Sequence, residues 1–95
     1  MSNEQAMKDI SRGARAKEII ENPFVVEAFD AIEGVIANGW KESGADDSKA
    51  RENAYLMHRL LQNFKSEFQR AIATGKASEK KLLSTKDSIV KKILP

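Results

Sequence analysis

Four carboxylates around the boundary between the first two predicted helices come closest to a catalytic pattern. Glu18 and Glu21 form one pair and Glu27 and Asp30 another, each spaced so that both members share one helix face. Helical pyrophosphohydrolases hold Mg²⁺ with such pairs, because the ion prefers oxygen ligands and accepts phosphate among them. Pro23 separates the two pairs by breaking the helix, and the helix dipole alone favours acidic residues in a first turn. We therefore interpret these carboxylates as solvated charges.

His58 is the only histidine, and it lies within the third predicted helix. A general base needs a nucleophile to act on and a group that orients it, and neither is assignable here. We expect a surface or boundary histidine. The pair Gly75-Lys76 lacks the preceding strand and the second glycine of a phosphate-binding loop. The sequence thus predicts no catalytic residue, no metal site and no cofactor, and we expect the protein not to be an enzyme.

The size and composition of the chain indicate which class of protein it belongs to. The chain has 95 residues, enough for one domain, and 32% of them are charged, with both signs interspersed. It has no cysteine, which excludes disulfides, thiolate metal sites and cysteine nucleophiles and fits a reducing compartment. We see no apolar run long enough for a signal peptide or a membrane span. We expect a soluble, intracellular, all-α protein that binds no membrane.

Two apolar seams, each a row of apolar residues along one face of a helix, predict the architecture. Residues recur at helical spacing from Val25 to Trp40 and again from Ala50 to Ile72. A polar turn joins the two segments, so we predict an antiparallel helical hairpin over about 23–42 and 47–74. Eight residues are expected in its core: Phe29, Ile32, Ile36, Trp40, Met57, Leu61, Phe64 and Phe68.

A flanking N-terminal helix is predicted over about 3–21. Its expected buried stripe consists of Met7, Ile10, Ala14 and Ile20. Gly13 indicates either a kink or a close passage of two backbones.

Several residues mark helix ends. Asn22 is a candidate cap for a second helix that begins at Pro23. The third helix is expected to start with a cap from Asp46, Asp47 or Ser48 and to end at Thr74, with Gly75 just beyond its terminus.

The segment after Gly75 differs in charge from the rest. By sequence, residues 76–95 carry a net charge of +4, whereas residues 23–44 carry −3. We predict a helical bundle domain over 1–75 and a basic amphipathic C-terminal arm over 76–95. The expected partner-binding residues of this arm are Lys76, Lys80, Lys81, Lys86, Lys91 and Lys92.

The second helix carries more apolar residues than one seam requires. Phe24, Val26 and Val35 lie off its main seam, so we predict that the protein self-associates into a homo-oligomer. Trp40 is interpreted as a core residue that closes the loop end of the bundle, rather than as an exposed interface anchor.

A set of short motifs in a fixed order carries a family resemblance. They are Arg12-Gly13-Ala14 with Ala16, Asn22-Pro23, Glu27-Ala28-Phe29, Trp40, Arg51-Glu52 and Thr74-Gly75-Lys76. Over residues 12–78 the chain resembles a family of small all-helical proteins of tailed bacteriophages. The resemblance implies a phage-encoded protein made in the host cytoplasm, with its gene among those for head assembly, and a place in the virion is open.

Our first hypothesis is a non-enzymatic phage virion or assembly protein. It would act by self-association and by docking on a capsid or portal protein, or on DNA through non-specific phosphate contacts of its basic arm. A second hypothesis is a small phage inhibitor that binds a host defence or replication protein. The third is a metal-dependent nucleotide pyrophosphohydrolase that uses the paired carboxylates.

Overall fold

Three α-helices account for nearly all of the residues that the structure describes. The computed structural model describes residues 3–93, with side chains through Lys86 and at Ile89. Helix α1 spans Asn3–Glu21, α2 spans Pro23–Glu42 and α3 spans Ser48–Ile93. The described residues contain no strand. The predicted all-α class is confirmed.

Side-chain caps set two of the helix ends. Asn22 Oδ1 accepts hydrogen bonds from the backbone N–H groups of Phe24 at 2.8 Å and Val25 at 3.3 Å, and Pro23 occupies the first turn of α2. Both features agree with the sequence prediction. Of the three candidate caps for α3, Asp47 acts, because its Oδ1 accepts from the Ala50 N–H at 3.0 Å.

The predicted end of the third helix at Thr74 is wrong. Helix α3 continues through Gly75 to Ile93. No described glycine has a positive φ, so Gly75 does not adopt the left-handed conformation that terminates helices. The domain boundary predicted at residue 75 therefore does not coincide with a helix end, and a separate arm over 76–95 stays a prediction.

The described residues form two compact units, the first comprising 3–18 and 68–93. Its helices cross closely at Gly13 and Gly75. A Cβ added at Gly13 would lie 2.8 Å from Ala71 O and 3.1 Å from Gly75 Cα, and one added at Gly75 would lie 2.9 Å from Asp9 O. Helix α1 is unbroken at Gly13, so the close passage of two backbones, rather than a kink, explains this glycine.

Small residues form the buried side of α1, which corrects the predicted stripe. Ala6, Gly13 and Ala16 are buried, whereas Met7 is 59% exposed and Ala14 is also exposed. Ile10 and Ile20 are half-buried. The physical reason is the close crossing, because backbones at this distance leave no room for larger side chains.

A polar contact accompanies the glycine crossing. Ser78 is 4% exposed, and its hydroxyl donates to Asp9 Oδ2 at 3.2 Å. Ser78 lies beyond the predicted boundary at 75, yet it is the one polar residue among the described ones that is buried. The first unit therefore includes part of the segment that was expected to be an arm.

The second unit comprises residues 19–67, in which α2 contacts the first part of α3. The rings of Phe29 and Phe64 pack edge to face with centroids 5.8 Å apart. Glu33 forms a salt bridge with Lys65. The buried apolar residues of this unit are Phe29, Ile36, Ala54 and Leu61. These side chains form the core between α2 and the first part of α3.

Candidate interaction surface

An uncharged apolar surface is the main functional candidate in the second unit. Ile36 and Leu61 form its base, and the surrounding side chains enclose a concave region of about 370 Å³. We define the apolar face as five residues with large exposed fractions: Ile32 (44%), Val35 (67%), Met57 (51%), Leu60 (71%) and Phe64 (54%). Four of them line the concavity, and Val35 lies one turn from Ile32 on the same side of α2.

Helical spacing explains why these residues share one side. On α3 the positions are 53, 57, 60 and 64, which repeat by four and three residues next to the buried positions 54 and 61. On α2 a similar outer stripe runs through positions 24, 28, 31 and 35. None of the residues in these two outer stripes is charged. Apart from the polar Asn53, both outer stripes are apolar, and each lies beside the buried stripe of its helix.

The expected core is only partly buried. Phe29, Ile36 and Leu61 are buried, and Phe68 is half-buried. The expectation that four others lie in the core is wrong, because about half of each side chain is exposed: Ile32, Trp40, Met57 and Phe64. They lie at the edge of the contact between α2 and α3, and no described part of the second unit covers that edge.

Trp40 lies on a second concave surface instead of closing the bundle. With Tyr55, His58 and Glu33 it lines a region of about 220 Å³. Trp40 is 49% exposed and Tyr55 48%. The Arg59 guanidinium lies 6.0 Å from the Tyr55 ring centroid, and its Nη1 donates to the Tyr55 hydroxyl at 3.2 Å. His58 is exposed, as predicted.

Electrostatics in the second unit centre on Glu33 and Lys65. The hydrogen bond from Lys65 lowers the pKa of the Glu33 carboxyl below its usual value, although partial burial opposes this shift. Lys65 Nζ also lies 5.4 Å from the Phe29 ring centroid. The Glu33 side chain is 38% exposed, so we interpret the pair as an orienting contact between α2 and α3.

The paired carboxylates do not form a metal site among the described residues. Glu18, Glu21, Glu27 and Asp30 are all exposed. Among the described side chains, no three of His, Cys, Asp or Glu lie close enough together to hold a metal ion. The carboxylates on which the third hypothesis depends are therefore exposed and do not converge among the described side chains.

Lysines of the predicted arm lie on α3. Lys76, Lys80, Lys81 and Lys86 are exposed, and the side chains of Lys91 and Lys92 lie outside the described ones. Lys76 and Lys17 border a concave region of about 180 Å³ over the glycine crossing, which Glu79 also lines. By sequence, residues 1–18 and 68–95 together carry a net charge of +6, and residues 19–67 carry −4. Basic and acidic surfaces therefore belong to different units.

Comparisons with known proteins give no relative. No family model matches the chain, and neither a curated protein nor a solved structure matches it. Within residues 3–93, every helix falls short of the length or the apolar character that crossing a bilayer demands.

Proposed function

We propose that this protein is a non-enzymatic interaction protein of a tailed bacteriophage, acting in virion assembly by self-association and by docking on another phage protein. In this proposal a hairpin of α2 and the first part of α3 presents the apolar face. The basic arm over 76–95 meets an acidic surface of a capsid or portal protein, or DNA. Contacts between proteins, and no chemical reaction, are its activity.

The exposure of the apolar face is the observation that carries the proposal. Large apolar side chains that lie together on the surface and remain about half-exposed are rare on monomeric proteins. Where they occur, they mark protein interaction sites. Within the apolar face, Leu60 has the largest exposed fraction, 71%, and Phe64 nearby is 54% exposed. Such a surface has little to offer a phosphorylated substrate, which needs charged or polar groups.

The phage assignment rests on the sequence resemblance over residues 12–78. Two of its motifs have clear structural roles, since Gly13 lies in the helix crossing and Asn22-Pro23 starts α2. These roles do not favour any particular partner, so the experiment must identify it.

Affinity capture from cells that produce the phage proteins tests this proposal. Tagged wild-type chain and a Leu60→Glu variant are compared by mass spectrometry, together with a Val26→Glu control on the other side of α2. We expect wild-type chain and the control to retain a capsid or portal protein and Leu60→Glu, which changes the face used for self-association, to lose it. Purified virions are assayed for the chain in parallel.

Two outcomes contradict the proposal. Retention of a host replication or defence protein, with no phage structural protein, favours the inhibitor hypothesis instead. Magnesium-dependent hydrolysis of nucleoside triphosphates by the purified chain, lost on changing Glu27 and Asp30 to Gln and Asn, would replace it with the enzymatic hypothesis.

A further inference from the structure

Only four apolar side chains of the second unit are buried among the described residues. No described side chain is less than 2% exposed, and the most buried apolar side chain of the second unit is Ala54 at 6%. A chain of this length buries only about 60% or slightly more of the surface that its unfolded form exposes, and self-association can enlarge such a core. The second unit therefore has a small core of its own.

We propose that a second copy of this chain covers the apolar face, so that α2 and residues 48–67 of two copies form a four-helix bundle around a two-fold axis. This inference rests on the proposed function, because it names the partner in self-association. It also names the residues of the contact and its symmetry.

The two apolar stripes on each helix support this partner. A helix in a two-helix contact needs one stripe, whereas a helix in a four-helix bundle touches two neighbours and needs two. The buried stripe of α3 includes Ala54 and Leu61, and the outer one includes Met57, Leu60 and Phe64. The spacing by four and three residues is that of knobs-into-holes packing between nearly aligned helices.

The exposed area matches what a dimer of this size buries. Scaled by ordinary side-chain areas, the five residues of the apolar face expose on the order of 600 Å², against ~800 Å² per partner in a standard interface. Neighbours at the edge supply the remainder, among them Phe24 at 76% and Leu56 at 55% exposed. The exposed apolar area of the face and its neighbours is thus close to the area that each copy buries in a dimer of standard size.

Small side chains alternate with Phe24, Ile32 and Val35 on this side of α2. Helix α2 contributes small residues to this side, Ala28, Ala31 and Gly39, and a Cβ at Gly39 would meet nothing within 4 Å. The large side chains of α3, Leu60 and Phe64, can pack over that surface on the other copy. In the two-fold arrangement that we propose, α2 of each copy lies against α3 of the other, so large side chains meet small ones twice.

The charge pattern argues against nucleic acid on this face. Residues 19–67 carry a net charge of −4, and the outer stripes carry none. Two such units repel each other weakly, so salt should leave association unchanged or strengthen it, which is opposite to the behaviour of phosphate binding.

Sedimentation of the full chain from low to high micromolar concentration tests the inference. We expect the mass to approach twice the 10.6 kDa of one chain, at low and at 0.5 M salt alike. Val35→Glu and Leu60→Glu should remain monomeric at the highest concentration, with at least a tenfold weaker association. Val26→Glu changes the same residue type on the same helix but off the apolar face, and it should sediment like wild type. Circular dichroism should show unchanged helicity in all three variants, because the replaced side chains are exposed by 44% or more.

A wild-type chain that stays monomeric over this range overturns the inference, as does a Val35→Glu or Leu60→Glu variant that dimerises like wild type. Equal loss in Val26→Glu would also overturn it, because the face would then not be the contact. A monomeric chain that still captures a capsid or portal protein through Leu60 would refute the second copy and leave the proposed function standing.

Discussion

Phe29 and Phe64 pack edge to face across the contact between α2 and α3, with ring centroids 5.8 Å apart, yet only one of the two rings is buried. Phe29 is 9% exposed and Phe64 54%. The pair thus marks the edge of the intrachain core, where a side chain contributes one part of its surface to the fold and leaves another part open. This division between core and interface determines how substitutions on α3 should behave.

The adjacent leucines 61 and 60 should respond differently to truncation. Leu61 is 8% exposed, so Leu61→Ala should lower the free energy of unfolding by about 2–5 kcal/mol at every protein concentration. Leu60→Ala should instead remove stability that grows with protein concentration, because a dimer is stabilised by mass action. Thermal melts over a hundredfold concentration range measure both effects. A concentration-independent loss of similar size in both variants would contradict this assignment.

Gly13→Ala and Gly75→Ala should both destabilise the fold. The added methyl group meets backbone atoms at 2.8–3.2 Å, which cannot move aside as a side chain could. We expect a cost of about 1–3 kcal/mol for each, seen as a lower midpoint in urea. Gly34→Ala is the matched control, because its Cβ would meet nothing within 4 Å, and it should stabilise α2 by about 0.5–1 kcal/mol. If all three variants gained stability, the close crossing would be wrong.

Two truncations separate a structural from a dispensable C-terminal segment. Removal of residues 76–95 deletes Ser78 and its hydrogen bond to Asp9. We expect the melting temperature to fall by about 4–8 °C or more, because a loss of about 1 kcal/mol causes a shift of that size in a domain of this length. Removal of residues 87–95 leaves that contact intact and should shift it less. An unchanged melting temperature after the longer truncation would support the arm that the sequence predicts.

The Glu33–Lys65 pair should give the stability a pH dependence. The pKa of Glu33 is lowered in the folded chain by the hydrogen bond from Lys65, so folding favours the charged carboxylate. The resulting stability is present above the ordinary carboxyl value of about pH 4.3 and is lost as the pH falls through the lower folded-state pKa. Glu33→Gln should therefore be less stable than wild type at pH 7 and should match it near pH 2. Urea midpoints at the two pH values measure the difference, and a constant gap would contradict it.

The sequence predicts the helix class and most helix ends well, because these depend on local chemistry. Asn22 and Pro23 act through bonds within one turn, and they start α2 as expected. Gly75 was misread because glycine serves two purposes, and its type alone does not distinguish a helix end from a close backbone contact. Only the position of Gly13 on the neighbouring helix distinguishes them.

The candidate site was predicted less well, for a different reason. Periodicity shows which residues share a face but not whether anything covers that face, so Met57 and Phe64 were expected in the core. Leu60 was overlooked because it lies off the main seam. Its spacing from residues 57 and 64 was the available signal. Val35 and Phe24 were correctly singled out as surplus apolar residues, and both are largely exposed.

Solvent access to the methionine methyl groups tests the central claim most directly, that the apolar face is an interface between copies. Met57 on the face is 51% exposed in the single chain, and Met7 on α1 is 59% exposed. With labelled methyl groups and a soluble paramagnetic agent, we predict that Met57 is strongly protected relative to Met7 at high concentration. The protection should disappear on dilution and in Val35→Glu. Equal access for the two methyl groups at every concentration would contradict the claim.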